Sequence, residues 1–143
     1  MGNEFVAVSA ELINDKVQFQ GKTRTNQPII CDYAPPLGDG QGYTGLELFL
    51  VSLADCSGST VVSLLRKMRK DVSGFRVNAQ GVRREEHPTY FEKITLEFIL
   101  DSRDAAEADL QKAIRLSEEK FCPVWAMIKN NVEVATRFKI VAS

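Results

Sequence analysis

The sequence predicts an α+β domain, in which an N-terminal antiparallel sheet is followed by a long buried helix, two strands, a helix, a short helix and a last strand. Three observations carry this. Short alternating runs separated by turn residues fill the first third. A helix start signal at Thr44 then opens the longest apolar stretch of the chain. Beyond it, two alternating segments precede a helical period that breaks at a Cys-Pro pair.

Phe5, Ala7 and Ser9 alternate with Val6, Val8 and Ala10, which predicts the first strand. Asn14-Asp15 marks a turn and Val17 to Gln20 the return strand. The β-branched run from Pro28 to Cys31 predicts a third strand, and Pro35-Pro36 with Gly38, Gly40 and Gly42 a loop. Thr44 and Glu47 fit a capping box. From Leu46 to Cys56 the helix is apolar almost all round, which predicts burial on most sides. Val61, Leu64, Leu65 and Met68 continue it as a one-sided stripe. Arg66, Lys67, Arg69 and Lys70 suit its C-terminal end, and Gly74 lies just beyond. The helix is thus about 25 residues long, at the upper end for a globular domain. Phe75, Val77 and Ala79 predict a strand, as do Ile94, Leu96 and Phe98 within Phe91 to Leu100. Between them, Arg83 to Pro88 is a charged, solvent-facing connection. Asp104 is a candidate N-cap, with Glu107 three residues on. Leu110, Ala113, Ile114 and Ser117 carry the helical period towards Phe121. Pro123 suits the first position of a new helix, Val124 to Asn130, with Cys122 at its N-cap. Val132 to Val141 is the last strand.

At 143 residues, with 44% hydrophobic and 26% charged, the chain suits one globular domain spanning 1–143. Its formal net charge of -1 points to neither nucleic acid nor an anionic membrane as a partner. Three widely spaced cysteines, no CxxC pair and one histidine argue against a disulfide framework, a zinc site and a Ser-His-Asp site. Met1 to Ala10 has no signal-peptide pattern, and Val6 stands where an acylation motif starting at Gly2 needs Ser or Thr. The apolar run from Leu46 to Ala54 is too short to span a bilayer, so the cytoplasm, where thiols stay reduced, is the expected compartment. Cys31, in a short apolar strand, reads as a small hydrophobe. Cys56, flanked by Asp55, Ser57, Gly58 and Ser59, fits plain core or a reactive thiol alike. Cys122 at a helix N-terminus is either an N-cap or a thiol whose pKa is lowered by unpaired N–H groups.

The run Leu46 to Cys56 with Val61 to Lys67 resembles the central helix of the OsmC/Ohr family. Leu116 to Val124 resembles its second cysteine motif. Asp71 to Phe75 and Arg83 to Pro88 are similar to the less characterised OsmC-like branch. The resemblance runs from about Thr44 to the C-terminus. It implies an OsmC-like fold of antiparallel sheets around a long central helix, an intertwined homodimer, and thiol-dependent reduction of small organic hydroperoxides. Cys56 would attack the peroxide and Cys122 would resolve the sulfenic acid as a disulfide. No cofactor would be bound, and an external dithiol (lipoyl or another thiol) would serve as reductant. Leu46, Phe49, Leu53 and Trp125 would offer apolar surroundings for an alkyl tail. The family's Glu, ten positions before the first cysteine, is Leu46 here; Glu47 is one later, and Arg24 or Lys22 would have to supply its cation. That departure keeps a second reading open, a non-catalytic or redox-sensing relative binding a small hydrophobic ligand. A third is thiol transfer to another electrophile. The helix supplies its own argument for a dimer, since a single domain of this size has little with which to cover it on all sides.

Overall fold

The structure, a computed structural model, describes residues 5–142 and forms two compact units, Met1–Phe49 and Leu50–Ser143. The Met1-Gly2 start considered for acylation lies outside the described residues. In the first unit, β1 (Ser9–Leu12), β2 (Phe19–Lys22) and β3 (Ile29–Cys31) form an antiparallel sheet in that order. The first strand begins later than its alternation predicts, because pairing grows outward from the turn. The Asn14 side chain accepts the Lys16 and Gln18 amides at 2.9 and 3.0 Å, which sets Leu12 opposite Phe19 and Ser9 opposite Lys22. Beyond Lys22 the partner strand turns away, and Phe5 and Val6 are left exposed.

The loop after β3 is organised by a residue that the sequence does not single out. Asp32 is 1% exposed, and its carboxylate accepts the amides of Tyr33, Asp39 and Gln41. Burial alone would raise its pKa; the three amides outweigh it and hold the carboxyl below its usual value. The loop ends at Thr44, where the predicted capping box forms in both directions. The Glu47 amide donates to Thr44 Oγ1 at 3.1 Å and the Thr44 amide to Glu47 Oε1 at 2.9 Å.

From this cap runs α1 (Gly45–Lys67). It closes on Arg69, in the left-handed region at φ 62°, with the Lys70 amide on the Leu65 carbonyl at 3.0 Å, so Arg69 rather than Gly74 marks the end. By length and composition alone α1 could cross a bilayer, with a mean hydropathy of 1.7, further than its interrupted apolar run predicts. Leu53, Val61 and Leu65 are nevertheless fully buried in protein core. Its first half is not buried on most sides within the one chain: Leu53 is fully buried there, whereas Val51 is 49% exposed.

The second unit is built on the sheet β4 (Gly74–Arg83), β5 (Phe91–Asp101) and β6 (Glu133–Val141). Every inward residue of β5 from Ile94 to Leu100 is fully buried, each contributing about 1.5–3 kcal/mol. The alternation read in the sequence is therefore the core itself. β4 and β5 are antiparallel; β5 and β6 are parallel, with Lys93 opposite Glu133 and Asp101 opposite Val141. The all-antiparallel expectation fails at this pair because the chain returns through a helical crossover. That crossover holds α2 (Glu107–Leu116), a π-helical turn (Ser117–Phe121) and α3 (Pro123–Ile128). Asp104 is not the N-cap of α2. Its carboxylate takes the Asp71 amide at 2.8 Å, and α2 starts later, where Asp109 accepts the Ala106 amide at 2.8 Å.

Gly81 on β4 faces the buried ring of Phe91, whose atoms lie 2.5 Å from where a Cβ would stand. Gly81→Ala should therefore destabilise the fold by about 1–3 kcal/mol through overpacking. Urea unfolding checks this; an unchanged midpoint would show that the ring moves aside freely.

Candidate active site

Cys56 is half-buried in the middle of α1. The small polar residues around it have structural employment. Ser57 Oγ donates to the Leu53 carbonyl at 2.7 Å and Thr60 Oγ1 to the Cys56 carbonyl at 2.9 Å, both back along the helix. Gly58 lets the helix approach β4, since a Cβ there would lie 3.1 Å from Val77 Cγ2.

Cys122 is delivered by the end of α2. Proline disfavours a helical residue before it, and Cys122 is extended at φ -86°, ψ 108°. The preceding turn widens to the π form, its last amide, Cys122 N–H, donating to the Ser117 carbonyl at 2.9 Å. Pro123 then starts α3, and Cys122 is its N-cap as expected, with Sγ accepting the Trp125 amide at 3.4 Å. Cys122 is 2% exposed.

Both cysteines are free thiols, and Cys56 is close enough to Cys122 to act on its titration. Of the two readings of Cys122, the N-cap holds and the lowered pKa does not. Burial pushes it from 9.0 up to about 11; the Trp125 amide opposes this, and the Cys56 side chain adds to it. A helix of six residues supplies too little field to offset the desolvation of a thiolate. Cys122 therefore stays protonated near neutral pH.

The other sequence candidates divide. Trp125 is fully buried and adjoins Cys122 through its amide; its indole N–H has no hydrogen-bond partner among the described residues. Leu53, also fully buried, lies on α1 just before Cys56. Neither fronts an open cleft. Glu47, Leu46 and Phe49 belong to the first unit, where Glu47 serves the capping box and the other two are half-buried. Arg24, also there, takes a turn conformation at φ 52° after β2, which ends at Lys22. Cys31, in β3, lines a small apolar cavity of about 280 Å³ with Val8, Ala10, Ile29 and Leu48. A larger groove of about 920 Å³ lies between α1 and β4, lined by Val51, Ala54, Gly58, Val62, Phe75 and Val77 among others. Among the described residues no three His, Cys, Asp or Glu side chains gather as metal ligands. The sequence places Ser117 only on the helical period; its buried hydroxyl bond to the Ser57 carbonyl has no local signal.

The OsmC family model, described as OsmC-like protein, matches residues 38–137. The protein YhfA of Escherichia coli K12 is 38% identical over 125 residues, covering 87% of this chain and 91% of its own. A crystal structure of a protein from Aquifex aeolicus VF5 superposes with a TM-score of 0.87 at 30% identity, covering 99% of both chains. The organic hydroperoxide resistance protein OhrB of Bacillus subtilis superposes with a TM-score of 0.63 at 17% identity, covering 95% of this chain and 98% of its own, a likeness of fold.

The raised Cys122 pKa predicts a distinct pH dependence. Its thiolate is roughly one part in ten thousand at neutral pH, and grows only as pH rises through the folded value. Alkylation by iodoacetamide, mapped by mass spectrometry in Cys31→Ala protein, should rise about tenfold per pH unit at Cys122 up to about pH 10. A Cys122 rate that levels off below about pH 8 would mean that the helix end prevails over burial.

Proposed function

The chain belongs to the OsmC-like family, and from that premise we propose that it reduces small organic hydroperoxides with Cys56 as attacking thiolate and Cys122 as resolving thiol. What supports this reading is two free thiols, of which Cys122 is kept protonated by burial and feels Cys56 nearby. Cys56 sulfur attacks the peroxide, the O–O bond breaks, and the alkoxide leaves as an alcohol after taking a proton. Cys56 is then a sulfenic acid. Cys122 sulfur displaces its hydroxyl as water, and a disulfide forms. An external dithiol, lipoyl or other, returns both thiols by exchange. The fold shared with organic hydroperoxide resistance proteins supports an oxidative-stress role. The cytoplasm is the compartment that keeps such a pair reduced.

Leu53 and Trp125 are closed over in the single chain, so an alkyl tail reaches them only when the surrounding packing opens. Supporting roles for Glu47 and Arg24 remain part of the reading, although the capping bond is a competing use of Glu47. That competing use favours the alternative, a non-catalytic or redox-sensing relative that binds a small hydrophobic ligand.

A homodimer belongs to the same reading. The groove presents Val51 and Val62 of α1 with Phe75 and Val77 of β4, a surface that its own unit leaves partly uncovered. A second copy would bury it. Sedimentation should find a dimer; a stable monomer at micromolar concentration sinks this assignment.

Stopped-flow oxidation tests the chemistry. Cumene hydroperoxide should consume two thiols per chain in wild type and in Cys31→Ala. Cys56→Ser should abolish turnover, because an alcohol cannot replace a thiolate. Cys122→Ser should react once and then stall or over-oxidise. A wild-type rate no faster than a free thiol's favours the ligand-binding alternative. Silence in Cys122→Ser with reaction in Cys56→Ser reverses the two roles.

A further inference from the structure

We infer that Ser117 is a positioning residue for the thiol pair, joining the backbone beside Cys56 to the backbone of Cys122; the inference deepens the two-cysteine reading and rests on it. Ser117 is fully buried. Its hydroxyl donates to the carbonyl of Ser57, the residue directly after Cys56, at 3.4 Å. Its own carbonyl accepts the Cys122 amide at 2.9 Å. One residue thus touches the chain on both sides of the pair. A carbonyl in mid-helix already serves the amide four residues on. The bond from Ser117 is therefore not needed to complete α1, and what it adds is a tie between α1 and the turn.

The π turn depends on this arrangement. In an ordinary α-helix the Cys122 amide would go to Glu118, one residue later than Ser117. Given instead to Ser117, it leaves the Glu118 carbonyl without a backbone donor, because the residue five positions on is Pro123, which has no N–H. The Lys129 ammonium reaches that carbonyl from the end of α3 at 3.4 Å. Ser117 therefore holds the entry of the wide turn, and Lys129 takes up the carbonyl that the wide turn releases. An α-helical turn in its place would rotate Cys122 by about 100° from its present direction.

The step at stake is closure of the pair. With glutathione disulfide as oxidant, two protein thiols become one Cys56–Cys122 disulfide and one glutathione disulfide becomes two glutathiones. Full-length Cys31→Ala protein, equilibrated against fixed glutathione ratios, gives the constant for this exchange. Because the Ser117 hydroxyl bond is long, Ser117→Ala should lower that constant roughly two- to fivefold, the lower part of what one neutral hydrogen bond supplies. Ser102→Ala, which removes a hydroxyl from another buried serine of the same unit, should leave it unchanged. An unchanged constant in Ser117→Ala, or an equal fall in both variants, overturns the inference. Should Ser117→Ala fail to fold, Lys129→Met at its exposed position carries the test with the same expected direction, and no shift there overturns it. The readout needs no peroxide. A pair that closes normally but ignores hydroperoxides defeats the catalytic reading alone, whereas absence of the disulfide at every ratio defeats both.

Discussion

Pro123 has no amide to donate and disfavours a helical residue before it, and the arrangement around the cysteines follows from that constraint. Cys122 must be extended, so α2 cannot run on into α3. The Cys122 amide goes back to Ser117 and opens the turn to the π form. The same proline is well suited to the first position of α3, whose early amides then turn towards Cys122 sulfur. A single residue type thereby ends one helix, begins the next and leaves a thiol between them.

At that thiol two effects compete, and their sizes decide the outcome. Unpaired amides at a helix start favour a thiolate, but α3 is short and Cys122 is 2% exposed. Removing a charge from water costs more than one long amide contact returns. The consequence is a division of labour that neither cysteine has alone. The buried one keeps its proton, while the half-buried one on α1 is the more accessible to a reagent.

What was legible in the sequence was what local chemistry fixes. Thr44 and Glu47 satisfy each other within one turn of helix, so the start of α1 could be read directly. The β5 alternation could be read because one face is buried from Ile94 to Leu100. The N-cap at Cys122 followed from the proline beside it. What was not legible depended on distant partners. Asp104 has the chemistry of a cap, but the Asp71 amide claims it. The start of β1 is set by where its neighbour ends, and the parallel direction of β6 by a crossover whose path no local pattern records. Whether Cys56 and Cys122 work as a pair is of the same kind, and in the sequence it rested on resemblance.

That crossover also orders events in time. β4 and β5 are consecutive antiparallel strands and can zip from their connection, whereas β6 must find β5 across everything from Ser102 to Val132. Closing a long loop before any contact rewards it is the slow part of folding. Cys122 travels inside that loop. Each newly made molecule therefore passes through an interval in which α1 and the hairpin can exist while Cys56 has no sulfur beside it. On the two-cysteine reading, an oxidised Cys56 then lacks its resolving thiol, which makes nascent molecules the population most open to irreversible oxidation.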